Sequence, residues 1–445
     1  MRKFNNLPLA YFAIFFLIFS GAQAAELHSQ LRDAVLNNDL ISVRAALSKG
    51  AKINTVGNET PLLHFANGPI SELLIKAGSI IDEKDSSGRQ AIHKAAINGD
   101  IEQLKILLKA GAKVDASDID GLQPLHFAAL NGQTLAINVL IATGANVNAT
   151  GNNRFITPLK LALAKRLVSF DDAPSLALCR AGGKLDPEDS SAAQLVFVAF
   201  TAPDTDLLKA LLASGIDINI ADSNGFQLIH MAASNKNPEF VALLLASGAK
   251  FDPKSKLGMQ PIHMAAVMGN LNTLKTLRQA GARFDAEDAK KDQPIHFAAK
   301  NNQVETIRYL VANGVNLNAR NSNNSQAIHY AAAMGKTDAV NVLIQLGAKM
   351  DEANLDGLQP IHLSAASGAI ETTQFLLRNG VNIAVIDKQG NQPIHFAAAT
   401  GKIEMVKLIL DAGGKANSVN FNNQTPSDLA AHNNHRQIVD LLKQE

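Results

Sequence analysis

Histidine is the residue type in this sequence whose spacing most suggests a chemical role. Neutral imidazole binds transition metals and relays protons near neutral pH. Six histidines recur at intervals of 33 residues: His230, His263, His296, His329, His362 and His395. Their settings are nearly constant and read QLIHMAA, QPIHMAA, QPIHFAA, QAIHYAA, QPIHLSA and QPIHFAA. A period of this length that carries Pro, His and paired Ala indicates a repeat solenoid.

The same spacing argues against a shared metal site or a proton relay. Repeats that stack as packed helices lie roughly 8–10 Å apart, whereas the ligands of one ion lie within about 2–2.5 Å of it. A buried imidazole must instead find hydrogen-bond partners for both ring nitrogens. We therefore predict a structural role for a ladder of eight histidines: His93, His126, His230, His263, His296, His329, His362 and His395.

Two other groups of residues could carry chemistry. Asp428, His432 and His435 would share one face of a continuous helix and could form a surface metal site, but the polar face of a capping helix explains them as well. Cys179 lies on an apolar stripe, which is typical of a buried cysteine. The sequence has no nucleophile elbow, P-loop or HExxH motif. We predict no catalytic residue, no cofactor and no metal, and keep an enzyme or a metal protein as an alternative.

The elements that position these residues are pairs of short helices joined by turns. Proline, or a residue in its place, begins each first helix, where the missing N–H group is no loss. In nearly every unit a glycine twenty residues later ends the second helix. Asp or Asn followed by Gly then marks a tight turn before the next proline. We count thirteen units, and the two terminal units are more polar than the rest, as capping repeats require.

Composition and the N-terminus narrow the function classes. The chain of 445 residues has 41 Lys and Arg against 40 Asp and Glu, so no strong field favours nucleic acid or an anionic membrane. A single cysteine rules out an intramolecular disulfide. Residues 1–24 combine a basic start, a short apolar run and the small residues Ala22 and Ala24, which is typical of a cleaved secretory signal peptide. The alternative is an uncleaved N-terminal anchor.

The repeats resemble ankyrin repeats, whose hallmark is Thr-Pro-Leu-His-x-Ala-Ala, with Gln usually in the place of Thr. The resemblance implies an all-α fold, an ankyrin-repeat solenoid of about thirteen helix-turn-helix units with short β-turn fingers. It also implies that the histidine hydrogen-bonds the backbone and links adjacent repeats. Partners of such proteins bind the finger tips and the concave face formed by the first helices. Aromatic residues directly after the ladder histidine are expected in the core: Phe127, Phe297, Tyr330 and Phe396.

Carried over position by position, the finger tips supply the candidate partner-binding residues. These are Ile119, Asp120, Leu122, Ser223, Asn224, Phe226, Lys256, Leu257, Met259, Lys290, Leu355, Asp356, Leu358, Lys388 and Gln389. Other tip positions are Ala289, Asp292, Ser322, Asn323, Ser325 and Asn391. Leu122, Phe226, Met259 and Leu358 are apolar residues on turns, and they either contact the partner or pack onto the neighbouring finger.

Two departures from the period divide the chain. The second unit is shortened, and the fifth carries the insertion KRLVSFDDAP around the turn between its helices. We predict a signal peptide at 1–24, N-terminal repeats with a capping unit at 25–157, an irregular joint at 158–200, and regular C-terminal repeats with a capping unit at 201–445. Insertions in solenoids often carry function. Phe170, Asp171 and Asp172 are therefore further candidates.

These expectations combine into one predicted function. We expect a non-catalytic protein-interaction scaffold exported to the periplasm or, second, outside the cell, similar to secreted bacterial ankyrin proteins. It would bind a partner protein as a monomer, would not bind nucleic acid, and would have no membrane-spanning segment after signal cleavage. The alternative is a secreted effector or toxin-like protein that acts on host proteins.

Overall fold

A computed structural model describes residues 23–54, 59–186, 188–189, 191–197, 200, 205–235 and 237–444. The predicted signal peptide at residues 1–24 lies outside these ranges except for its last two positions. Regular structure in the described ranges is helical, apart from one isolated bridge between Ala221 and Gln227. This confirms the predicted all-α fold. Residues group into two compact units, Met1–Asp217 and Ile218–Glu445, here called unit 1 and unit 2.

Unit 1 contains short helices in series. Its first described helix, α1, covers residues 23–36. The others are α2 (Leu40–Ser48), a 3-10 helix (Leu62–His64), α3 (Gly68–Lys76), α4 (Ala91–Asn98), α5 (Ile101–Lys109), α6 (Pro124–Leu130), α7 (Thr134–Ala142), α8 (Pro158–Ser169), α9 (Ala173–Arg180), α10 (Ala192–Phe197) and α11 (Asp206–Ala213). The shortened second unit of the sequence corresponds to the 3-10 helix, and the insertion lengthens α8 to twelve residues.

Unit 2 is a regular series of helix pairs. The pairs are α12 (Leu228–Ser234) and α13 (Glu239–Ala246), α14 (Pro261–Met268) and α15 (Leu271–Gln279), α16 (Pro294–Lys300) and α17 (Val304–Ala312), α18 (Ala327–Ala333) and α19 (Thr337–Gln345), α20 (Pro360–Ser367) and α21 (Ile370–Arg378), α22 (Pro393–Ala399) and α23 (Ile403–Asp411), and α24 (Pro426–His432) and α25 (Arg436–Leu442).

The pair of α14 and α15 shows why the sequence folds in this way. Pro261 is the first residue of α14, and Gly269 ends that helix at a φ of 70°. Asn270 caps the start of α15, because its side-chain oxygen accepts a hydrogen bond from the backbone N–H of Thr273. At the far end Gly281 adopts a φ of 111°, which few residues other than glycine tolerate. The proline and glycine positions read from the sequence therefore bound the helices.

The core of unit 2 runs along the first helices of successive repeats. Each of these helices packs against the next, from α12 against α14 to α22 against α24. The paired alanines, such as Ala265 and Ala266, are fully buried, and small side chains allow two helices to approach closely. Leucines of the second helices, such as Leu274 and Leu277, complete the core. The paired Ala of the motif is thus a packing requirement of the stack.

Candidate functional site

The eight ladder histidines are buried and use their rings in one common way. The Nδ1 atom of each accepts a hydrogen bond from the backbone N–H of the residue three positions earlier, a glutamine in every case. That leaves the proton on Nε2, which in seven of them donates to a backbone carbonyl 23 to 30 residues further on. In His263 the two distances are 3.0 Å to the Gln260 nitrogen and 3.0 Å to the Ala286 oxygen.

Burial lowers the pKa of every ladder histidine from its usual value, and that of His329 falls to about 4. Protonation of Nδ1 would also break its hydrogen bond, because the backbone N–H that it now accepts from would then face a second donor. Where both ring nitrogens are hydrogen-bonded, no lone pair is left to bind a metal ion. Where the residue after the histidine is aromatic, its ring packs edge-on against the ladder histidine of the preceding repeat, as Phe297 does against His263.

The turns between repeats are five-residue fingers of one construction. In unit 2 they comprise residues 222–226, 255–259, 288–292, 321–325, 354–358, 387–391 and 420–424. The side-chain oxygen of the first residue accepts hydrogen bonds from the backbone N–H groups of the third and fifth residues, as Asp222 does from Asn224 and Phe226. The finger 255–259 differs, because Ser255 accepts only from Met259 among the described contacts. These local hydrogen bonds fix the finger backbone.

Neighbouring fingers of unit 2 are also joined to one another. The backbone N–H of the second residue donates to the carbonyl oxygen of the third residue in the preceding finger. Lys256 donates in this way to Asn224, and Ala289 to Leu257, at 2.8 and 2.9 Å. The same bond recurs between each later pair, ending with Phe421 and Gln389. The tips are therefore held in a rigid row.

The candidate partner-binding residues fall into two groups by exposure. Those at the second and third finger positions are exposed: Ile119, Asp120, Ser223, Asn224, Lys256, Leu257, Lys290, Leu355, Asp356, Lys388 and Gln389. Those at the fifth position are half-buried: Leu122, Phe226, Met259 and Leu358. The ring of Phe226 stands edge-on to His230 at a centroid distance of 5.2 Å, which is a packing contact.

The further candidates in the insertion have separate surroundings. Phe170 is 72 % exposed and ends α8 with a φ of 55°. Asp172 forms an ion pair with Arg166, whose side chain is almost fully buried. Asp171 begins the turn into α9 by accepting a hydrogen bond from the Ala173 N–H at 3.0 Å. The insertion thus combines an ion pair to a buried arginine with exposed apolar residues.

The structure corrects the helical face suggested for Asp428, His432 and His435. The helix α24 ends at His432, and Asn434 adopts a φ of 66°, so His435 lies outside that helix, where it precedes α25. Asp428 accepts hydrogen bonds from the N–H and hydroxyl groups of Thr425 at the start of α24. The three side chains therefore do not converge. Within the described ranges no group of three or more His, Cys, Asp or Glu residues is placed to hold a metal ion.

Cys179 is buried, and burial raises the pKa of its thiol to about 12. A thiol with so high a pKa forms little thiolate near neutral pH, and the thiolate is the nucleophilic form. Across the described residues, no helix combines the length and the apolar composition needed to cross a membrane.

Sequence reasoning missed two features. His64, displaced by one position in the shortened second unit, is buried and its Nε2 lies 2.8 Å from the Arg89 carbonyl oxygen. The second feature is a polar cluster in unit 2, formed by Asp292, Asn321 and Tyr330. The Tyr330 hydroxyl donates to one carboxylate oxygen of Asp292 at 2.8 Å, and the Asn321 amide donates to the other at 2.9 Å. Its signal in the sequence was a tyrosine where the neighbouring repeats carry Phe or Leu.

Comparison with protein-family models gives two matches. Residues 195–288, 281–354 and 361–445 match the model described as ankyrin repeats in three copies. Residues 70–108 and 92–141 match the model described as ankyrin repeats in many copies. A comparison with individual curated proteins gives no match. The matched segments cover well over half of the chain and include parts of both units.

Proposed function

Because the chain belongs to the ankyrin-repeat family, whose repeats form protein-interaction scaffolds, we propose that it is an exported, non-catalytic scaffold for a partner protein. The proposed contact surface is the row of finger tips together with the adjoining face of the first helices. The signal-like residues 1–24 support export, with the periplasm as the first destination and the extracellular space as the second.

One observation carries the binding proposal. In unit 2 the finger backbones are fixed by local and finger-to-finger hydrogen bonds, whereas the side chains at the second and third positions are exposed and change from one finger to the next. Lys256 and Leu257 are followed one repeat later by Ala289 and Lys290. Fixed backbones reduce the entropy lost on binding, and varied side chains supply specificity.

Affinity capture tests the proposal directly. The tagged full chain is expressed in the cell that makes it, recovered from the exported fraction, and its bound proteins are identified by mass spectrometry. N-terminal sequencing of the recovered chain is expected to give Ala25 as the first residue. The tip variant carries Leu257→Ser and Leu355→Ser, and both of these leucines are exposed in unit 2.

The matched control is Leu135→Ser, because Leu135 is 69 % exposed on α7 and lies outside the fingers. We expect one partner to be captured by the wild type and by the control. The tip variant should capture it at least about tenfold less efficiently, since a few residues of an interface carry most of its binding energy. Equal capture by the tip variant would place the contact elsewhere, and recovery of the chain with residues 1–24 intact in the cytoplasm would refute export.

A further inference from the structure

Three departures from the repeat pattern of unit 2 meet at the finger 288–292. Lys291 takes a φ of 59° at the fourth finger position, where the other fingers of unit 2 carry Gly or Asn. Asp292 follows at the fifth position, where the corresponding residues are uncharged: Phe226, Met259, Ser325, Leu358, Asn391 and Gln424. Tyr330 of the next repeat supplies the hydroxyl group that reaches this carboxylate.

The carboxylate of Asp292 is buried and has no cationic partner. Asp292 is only 5 % exposed. Its two carboxylate oxygens accept hydrogen bonds from the Tyr330 hydroxyl and the Asn321 amide. Among the described residues Asp292 takes part in none of the ion pairs, although the exposed Lys290 and Lys300 lie nearby. His296 also lies close to it, but burial lowers the pKa of that imidazole by more than the Asp292 charge raises it, so the ring is neutral near pH 7. Burial raises the pKa of Tyr330, so its hydroxyl stays protonated and continues to donate.

A cavity of about 260 Å³ opens beside this carboxylate. Tyr330, Phe297 and Met259 contribute aromatic and apolar walls, and Asp292 contributes the buried negative charge. Lys290 and Lys300 line the rim, where long side chains place their ammonium groups in water. A volume of this size admits a side chain or a small amide, and is too small for a folded element.

We propose that this cavity receives a lysine or arginine side chain of the partner protein. The inference rests on the proposed function, because it specifies one chemical feature of the partner. A buried charge is costly unless it is paired, and an incoming cation would pair with the Asp292 carboxylate. The ring of Tyr330 or Phe297 could also attract a cation through its face. The aliphatic stem of the incoming residue would pack against Met259.

The chain itself supplies conservative variants for the test. Asn391 occupies the position of Asp292 three fingers later, in a finger fixed by the equivalent turn. Asp292→Asn therefore removes the charge and introduces a side chain that an equivalent finger already accepts. Phe297 and Phe396 occupy the position of Tyr330 in other repeats, so Tyr330→Phe removes only the hydroxyl. Both variants are expected to fold, which circular dichroism checks before binding is measured.

The experiment titrates the full chain, labelled with ¹³C at its methionine methyl groups, with three probes. Two are cationic, N-acetyl-arginine amide and N-acetyl-lysine amide, and N-acetyl-norleucine amide is their neutral control. We expect both cationic probes to shift the methyl resonance of Met259 with a Kd of about 1–10 mM. The resonance of Met405, buried in a separate part of unit 2, should stay in place.

The variants decide whether the carboxylate is responsible. Asp292→Asn should weaken binding of the cationic probes at least about tenfold, and Tyr330→Phe about threefold. Equal shifts by the norleucine probe, unchanged binding by Asp292→Asn, or no shift with any probe would each overturn the inference. Any of these results in a chain that still captures its partner would leave the proposed function standing. If the cationic probes bind a chain that captures no protein, the cation site stands and the proposed function is refuted.

Discussion

Every regular repeat of unit 2 contains two regions with opposite properties. The ladder histidine, its glutamine and the paired alanines barely change between repeats, and the histidine and alanines are buried. The second and third finger positions change in almost every repeat and are exposed. The two regions are only a few residues apart along the chain. The comparison shows that burial and shared hydrogen bonds set what a repeat must keep, whereas exposure on a fixed backbone leaves the tips available for recognition.

The largest effect that this comparison predicts is on the pH dependence of stability. The pKa of His329 is about 4 in the folded chain against an ordinary value of 6.5. Between these values the unfolded chain takes up a proton that the folded chain does not, so folding loses stability as pH falls from about 6.5 to about 4. His329 alone contributes up to about 3 kcal/mol in this window, and the other ladder histidines shift in the same direction.

Urea unfolding followed by helical circular dichroism at pH 7.5, 6, 5 and 4.5 measures this loss. We expect the midpoint to fall throughout the series. Carboxylates with lowered pKa values, such as Asp85 and Asp189, act in a separate window below their ordinary value of 3.8. A midpoint that stays constant from pH 7.5 to 4.5 would show that the ladder histidines accept protons without cost.

The next effect is the loss of a single ladder residue. His263→Ala removes the hydrogen-bond partner of the Gln260 N–H and that of the Ala286 carbonyl, both in half-buried residues, and also removes a buried ring. We expect the free energy of unfolding to fall by about 2–4 kcal/mol. The matched control is His432→Ala, because His432 is exposed at the end of α24. The control should change stability by less than about 0.5 kcal/mol, and equal effects of the two substitutions would contradict the structural role of the ladder.

A smaller effect separates the two groups of tip residues. Phe226 is half-buried against His230, so Phe226→Ala should lower the free energy of unfolding by about 1–2 kcal/mol, less than for a fully buried ring. Leu257→Ala, at a residue 64 % exposed, should change it by less than about 0.5 kcal/mol. Thermal unfolding of the two variants makes the measurement. If Phe226→Ala leaves stability unchanged, the fifth finger position belongs with the exposed tips and is free to contact a partner.

The sequence predicted the helix pairs well because their signals repeat many times. Pro261 at a helix start and Gly281 at a helix end each have a local physical reason, and so does the paired Ala. The sequence did not predict contacts between side chains of separate repeats. Asp292 and Tyr330 are 38 residues apart, and although each departs from the pattern of its own position, nothing in the sequence indicates that the two side chains meet.

The alternative that Asp428, His432 and His435 share one helix face was wrong for a different reason. The face of Asp428, His432 and His435 assumed one continuous helix, whereas the backbone turns at Asn434. Asn434 corresponds to Gly401 of the preceding repeat, which also has a positive φ. Aligning the last repeat with the preceding one therefore predicts that the helix ends before Asn434. A repeat sequence is therefore read most reliably against its own other copies.

The smallest effect concerns the backbone of the tips. Lys291 holds a φ of 59°, a left-handed conformation that costs a residue with a side chain roughly 1–2 kcal/mol. Lys291→Gly removes that strain but adds conformational freedom to the unfolded chain, which offsets part of the gain. We expect a net rise in the free energy of unfolding of about 0.5–1 kcal/mol.

The neighbouring substitution Lys290→Gly is the control with the opposite sign. Lys290 is not among the residues with positive φ, so glycine there relieves no strain and should lower the free energy of unfolding by about 0.5–1 kcal/mol. Urea unfolding of the two variants gives the comparison. If both glycines lower stability, Lys291 is not strained and its presence at this position needs another cause. If only Lys290→Gly lowers stability, the finger that ends at Asp292 keeps a strained backbone residue at Lys291. Such strain is expected where function rather than folding selects the residue.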